Sequence, residues 1–355
     1  MRRRSCIFVA LVAVALAVPA AQERIDQDVF WKIRQEGSTN SSIMQTLHVL
    51  TDVHGPRLTG SPQLKAAGEW AIQQMHAWGM QNGHLEPWEF GRSGWTNERL
   101  SAHLVSPVQD ALVAEALAWT PGTQGVVRGP AVPIVMPQAA RRSELTAFFD
   151  TLQPKVKGAM VLVGAPRVVP VTFNAPALRR EDTEVLTQMA PAQLQQGRRG
   201  GGPAPQAQPP QAQNQQNQNQ PPADRPLTAA QADDLLNEFL VASGAHVRIN
   251  DGGRDHGQIR AFNNRTYDPA KSPATVVMRN EDYGRIWRLL NGGPAPSAPR
   301  TGAAVGAAPR IVELEFDIAN RLHPEGRTAY NTVAAAGGPK TVKPRIRPVP
   351  LSMLK

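Results

Sequence analysis

Metal-assisted hydrolysis needs imidazoles and carboxylates at short, repeated spacings, so the histidines come first. There are eight: His48, His54, His76, His84, His103, His246, His256 and His323. None belongs to an H-E-x-x-H or an H-x-D pair. His84-Leu85-Glu86 would put two ligand types on one face of a strand, although Pro87 and Trp88 follow at once and read as a surface edge. Asp255-His256 lies in "NDGGRDHG", where both side chains reach one point only if a turn folds them together. Turn chemistry alone accounts for its Asn, Asp and Gly residues. Glu313, Glu315 and Asp317 recur at every second position, which would line carboxylates along one strand face for acid–base work, or simply leave them in solvent.

Other chemistries have less to stand on. There is no G-x-S-x-G; "GRSGW" is half of one. The GGG of residues 200–202 has no Lys-Ser/Thr after it and is no phosphate loop. His54-Gly55-Pro56-Arg57 reads as a turn between helices. No catalytic, cofactor-binding or metal-ligating residue is therefore assigned.

The formal charge of +9 is concentrated at the ends. Arg2, Arg3 and Arg4 open the chain, and Lys340, Lys343, Arg345, Arg347 and Lys355 close it; removing those eight leaves +1. With no basic stripe interleaved with aromatics, the pattern points away from nucleic acid. Arg2–Arg4, the apolar run Cys6–Val18 and the small residues around Ala20 form the pattern of a secretory signal peptide over 1–21. That predicts a secreted or periplasmic product with no stable membrane span after cleavage. Cys6, the sole cysteine, would leave with it, which excludes disulfides and thiolate metal sites.

The elements that would position these residues follow from periodicity. Ser38 or Thr39 is expected to cap a helix carrying Ile43, Leu47 and Leu50. Ser61-Pro62 is a helix start, since the hydroxyl can accept from free N–H groups and proline has none to waste. Leu64, Ala67, Ala71, Met75 and Trp78 make its apolar stripe. Strands are expected over "NGHLEPWEF", "ERLSAHLVSP", Ala111–Trp119, Ala131–Met136, "KGAMVLVG", "AHVRIN", "PATVVMR" and "RIVELEFDI". The continuous apolar run in "KGAMVLVG" suits a strand covered on both faces, whereas Val312, Leu314 and Phe316 alternate with acids as in a half-buried antiparallel strand. "GRTAYNTVA" is expected to pair with the latter or lie near it. Helices are expected over Ser143–Leu152, after a Thr228/Gln231 capping box, and after a cap at Asn280. The Gly/Pro/Gln/Asn-rich run 188–224 is too poor in apolar side chains to offset ordering its backbone and reads as disordered.

"HGPRLTGSPQLKAAGEWAIQQMHAWGMQNGHLEPWEF" (54–90) resembles the entry segment of a family of secreted zinc exopeptidases, which includes carboxypeptidase Q and bacterial aminopeptidases. Its G-P-R-L-T-G-S-P core, amphipathic helix and W-G-M-x-N exit match in order. "KVKGAMVLVG" and "VVMRNEDYGRIWRLL" resemble pieces of the β-rich protease-associated domain that many members insert. "VELEFDIANRLHPEGRTAYNTVA" resembles the return to the catalytic sheet. The resemblance implies an α+β chain: signal peptide 1–21; entry segment 22–109 of an incomplete α/β exopeptidase sheet; protease-associated-like insert 110–293; linker and return strands 294–334; and a divergent basic, Pro-rich tail 335–355. Full-length members hold two zinc ions, and their ligands lie beyond the strand that ends in Y-N-T-V-A. This chain carries no counterpart of them, so no zinc is expected in it. The expectation is an exopeptidase portion that is inert alone, truncated before the ligand motifs, or alternatively a secreted, non-catalytic module that binds peptides or a protein.

Overall fold

A computed structural model describes residues 26–171, 173, 181, 225–292 and 309–336. The expected signal peptide, the run 188–224 and all but the first two residues of the tail lie outside them. The chain divides at Arg57 into two compact units.

The first unit is helical. Helix α1 (Gln27–Thr39) is capped by Asp26, whose carboxylate accepts from the Asp28 and Val29 amides at 3.0 and 3.2 Å. Ser38 and Thr39, expected to start a helix, end this one; both hydroxyls donate to the Gln35 carbonyl. Helix α2 (Ile43–His48) runs into a wider π turn, Val49–Val53. The Arg57 guanidinium holds the exit of that turn by donating to the Leu50 and Gly55 carbonyls. Neither helix buries a residue; Val29, Phe30, Trp31 and Ile33 are all exposed.

The second unit starts with helix α3 (Pro62–Ala77), capped by Ser61 as its sequence requires; the Ser61 hydroxyl accepts from the Leu64 amide at 3.2 Å. Strand β1 (Gln81–Glu89) follows and leads into β2 (Gly94–Ser106). The stretch expected as one strand over 111–119 makes two short ones, β3 (Asp110–Ala111) and β4 (Ala114–Ala116). Then come β5 (Val126–Ile134), helix α4 (Arg142–Val156), β6 (Met160–Val163), helix α5 (Ala229–Ala242), β7 (Val247–Asp251), β8 (Ala274–Met278) and helix α6 (Asn280–Asn291). Strand β9 (Glu313–His323), a 3-10 turn (Pro324–Arg327) and β10 (Thr328–Ala335) complete the described chain. No helix among the described residues is long and apolar enough to cross a membrane.

The architecture is mixed α/β. Eight strands hydrogen-bond in the order β3-β2-β9-β5-β6-β7-β8-β4. Strands β5 to β8 run parallel; β2, β9 and β4 are antiparallel to their neighbours. The stretch from β3 to β4 pairs with β2 at its start and with β8 at its end, so one short segment supplies both outermost strands of the sheet. Leu104, Leu162, Ile249, Met278, Leu314 and Phe316 fill the inner face, joined by Tyr283, Ile286 and Trp287 of α6. Val161, Ile134, Phe149 and Leu240 form a second core under α4 and α5. Buried on both faces, β6 is the continuous apolar strand its sequence describes.

Strand β10 does not pair with β9. It pairs antiparallel with β1, Glu89 against Thr328 and Leu85 against Thr332, in a separate two-stranded ribbon. Helix α3 lies on that ribbon, close enough that a methyl on Gly68 would meet Thr332 Oγ1 at 2.8 Å and Leu85 Cδ2 at 3.0 Å. Strands β2 and β9 meet at the other side of the junction, with Gly94 opposite His323. The eight-stranded sheet is thus an excursion from one paired ribbon back to the same ribbon.

Candidate functional site

The junction between ribbon and sheet gathers the conspicuous residues of 58–65. Gly60 takes a φ of +77°, which a glycine adopts without steric cost. Three backbones touch there. A methyl on Gly60 would stand 2.5 Å from the Gly326 carbonyl oxygen, one on Gly94 2.0 Å from the Gly60 oxygen, and one on Gly326 2.2 Å from the same atom. Only glycine at all three positions lets the loop before α3, the start of β2 and the turn before β10 close together.

Beside this contact is a cavity of 290 Å³, lined by Ser61, Leu64, Lys65, Glu325, Thr328 and Tyr330 among others. Lys65 Nζ stands 5.7 Å from the Tyr330 ring centroid. Behind Glu325, the nearly buried His323 shares a hydrogen bond with Thr96 Oγ1 at 2.9 Å and meets the Glu325 carboxylate at 3.3 Å. The Glu325 carboxyl is held below its ordinary range, first by its own backbone amide and then by His323. On the sheet side, Tyr267 meets Phe90 and Trp119 edge to face, with ring centroids 6.2 and 4.7 Å apart, and Arg92 lies 4.0 Å over Tyr267. Trp119 and Tyr267 both take left-handed backbone conformations, φ +57° and +54°. Such strain in bulky residues persists only where packing over-determines it. The arrangement offers an ammonium, a carboxylate and aromatic faces for non-covalent contact. The Ser61 hydroxyl is committed to its helix cap, and the Thr96 hydroxyl that meets His323 is itself buried.

The candidates weighed from sequence are scattered. His84 Nδ1 bonds the Asn82 carbonyl at 2.7 Å on the ribbon, and Glu86 beside it is exposed. Asp255 and His256 do approach each other, at 3.5 Å, on the loop after β7. The three acids of β9 find cross-strand partners: Glu313 with Arg128 at 2.9 Å, Glu315 with His103 at 3.9 Å, and Asp317 with Arg99 at 2.8 Å. Asp317 raises the Arg99 pKa through that contact. Histidine–carboxylate contacts are therefore pairs, and among the described residues no three His, Cys, Asp or Glu side chains converge. These residues do not fit the zinc pair implied by the resemblance. The His323–Thr96 contact had no local sequence signal, because its partners lie 227 positions apart.

No protein-family model matches this sequence, and no curated protein does. Among solved structures, a peptidase M28 precursor from Shewanella amazonensis SB2B is 17% identical over 87% of this chain and 53% of its own, with a TM-score of 0.44. An aminopeptidase from Aneurinibacillus sp. strain AM-1 is 12% identical over 81% of this chain and 46% of its own, TM-score 0.35. A zinc aminopeptidase from Bacillus subtilis is 11% identical over 84% of this chain and 47% of its own, TM-score 0.37. The chain spans about half the length of these structures.

Proposed function

We propose that these 355 residues are a portion of a secreted or periplasmic zinc-dependent exopeptidase, carrying a protease-associated-like insert, and that alone they hydrolyse no peptide bond. One observation carries the first half. The eight-stranded sheet and its two cores, in which β2 and β9 flank the insert expected over 110–293, are spliced between β1 and β10, which pair with each other. That is how a module inserted into another fold must leave and return, and it joins the segment whose G-P-R-L-T-G-S-P core and helix resemble the exopeptidase entry. Glycines 60, 94 and 326 support the same reading, because their close contact locks the insert to the ribbon.

The second half rests on chemistry. Hydrolysis in this class requires water activated by a metal and a general base positioned on it. The described side chains supply histidine–carboxylate pairs only, one ligand short of the three that a catalytic zinc takes from protein. The purified chain, given zinc and aminoacyl or dipeptide substrates, is expected to release no product above the uncatalysed rate. Turnover that a chelator abolishes and zinc restores would refute the proposal. Peptides are the proposed partners, met through the insert rather than cut by it.

A further inference from the structure

The parallel strands β6, β7 and β8 end together, and what they carry there is unlike the junction. Open α/β sheets bind ligands beyond the carboxyl ends of their strands where the strand order reverses; β6, β7 and β8 follow in chain order without a reversal, so here the side chains lining the crevice at those ends mark the site. Here that crevice lies between the segment after β6 and the turn after β7, a cavity of 290 Å³ lined by Arg167, Val169, Pro170, Gly252, Gly253, Arg254 and Asp255. Asp251 braces both walls. Its carboxylate accepts from the Arg167 amide at 2.7 Å, the Gly253 amide at 2.9 Å and the Asn280 side chain at 3.0 and 3.2 Å. Asn280, expected as a helix cap, is instead the first residue of α6 and also donates to the Arg167 carbonyl at 3.0 Å.

The charge balance at this crevice is uneven. Asp251 is saturated by those donors. Glu281 accepts from the Gly257 amide at 2.9 Å, Asp282 is paired with Arg279 at 2.6 Å, and Asp255 stands 3.5 Å from His256. The Arg167 and Arg254 guanidiniums line the cavity and have no hydrogen-bond or ion-pair partner among the described residues. Arg254 is half-buried, so solvent satisfies it only in part. Gly253 makes the arrangement feasible: its φ is +58°, and a methyl there would lie 2.4 Å from Arg167 Cδ, so the Arg167 stem crosses directly over the turn. Two forked donors lining one cavity, Arg254 half-buried and Arg167 exposed, with one carboxylate beside them, offer a receptor for a carboxylate.

We propose that the crevice beyond β6 and β7 binds the carboxylate of a peptide through Arg167 and Arg254. The site is independent of the exopeptidase assignment, because binding is read without turnover. The probes are N-acetyl-trialanine with a free C-terminal carboxylate, its C-terminal amide, and inorganic phosphate as a competitor. Titration of the full chain, followed by calorimetry and by the amide resonances of Gly252 to Arg254, should give millimolar binding of the free acid. The amide should bind at least about tenfold more weakly, for want of the charge. Arg167→Ala and Arg254→Ala should each weaken the acid by about tenfold without moving the thermal midpoint, since neither guanidinium holds the fold. Phosphate should displace the acid. Equal binding of acid and amide, affinity unchanged in both arginine variants, or phosphate binding with no peptide binding would each overturn the proposal.

Discussion

Replacing Gly94 by alanine isolates the close contact between the eight-stranded sheet and the β1–β10 ribbon. The backbone of Gly94 is not in the left-handed region, so the added methyl costs nothing in φ. Its cost is steric: the methyl would sit 2.0 Å from the Gly60 carbonyl oxygen, 2.4 Å from its carbon and 3.0 Å from the Ser61 nitrogen. All three are main-chain atoms with no rotamer to escape into. Restoring ordinary contact moves the Gly60 loop by more than an ångström, at the price of overpacking worth about 1–3 kcal/mol. That movement also pulls Ser61 from the Leu64 amide, forfeiting a helix cap worth about 1 kcal/mol. The expected loss is therefore about 2–4 kcal/mol. For a unit of this size it appears as a midpoint lowered by about 4–16 °C. Gly125→Ala is the control: its φ is +76°, but nothing lies within 4 Å of the added methyl. It should cost only the left-handed backbone term of about 1–2 kcal/mol. Thermal and urea unfolding of both variants, followed by circular dichroism, measures the difference. A Gly94→Ala protein within error of the unmodified chain, or less affected than Gly125→Ala, would refute the packing argument.

Three further outcomes follow. Arg248 is buried on β7 and donates to Asp233 at 2.6 Å, Asn237 at 2.7 Å and Asn250 at 3.1 Å; Arg248→Met should cost about 2–4 kcal/mol in urea unfolding by removing those three hydrogen bonds, Asp233 keeping only Arg265 at 3.4 Å. Leu162→Ala, in a strand covered on both faces, should cost about 2–5 kcal/mol by the same measurement. The Asp110 carboxyl is held below its ordinary 3.8 by a hydrogen bond from Arg285 and then by the Ala111 amide. A carboxylate with a depressed folded pKa stabilises fully above its unfolded value and loses that contribution as pH falls through the folded one. Asp110→Asn should therefore lower stability at neutral pH and flatten the decline below about pH 4, read from urea midpoints against pH.

Local signals in the sequence carried well where the cause is local. Ser61-Pro62 starts α3, the Thr228/Gln231 box starts α5, and Met160, Val161 and Leu162 are fully buried. Val312, Leu314 and Phe316 point inward while the alternate acids of β9 face their cations. What failed depended on partners distant in the chain. The pairing of β10 with β1 brings together residues about 250 positions apart, and nothing in "GRTAYNTVA" distinguishes that partner from the adjacent β9. The stretch 111–119 reads as one strand, yet it changes partner from β2 to β8 within a few residues. Asn280 has the chemistry of a cap, but its amide is drawn to Asp251, 29 positions away. The glycine contact was visible only as "LTGSP", because the glycines it meets lie far along the chain.

The proposed inertness turns on zinc retention, since among the described residues no three His, Cys, Asp or Glu side chains converge. Equilibrium dialysis of the purified chain against zinc, with metal counted per polypeptide, measures it directly. Weak, substoichiometric zinc that washes out in buffer is the expected result. One or two equivalents retained through washing, and released only by a chelator, would contradict it.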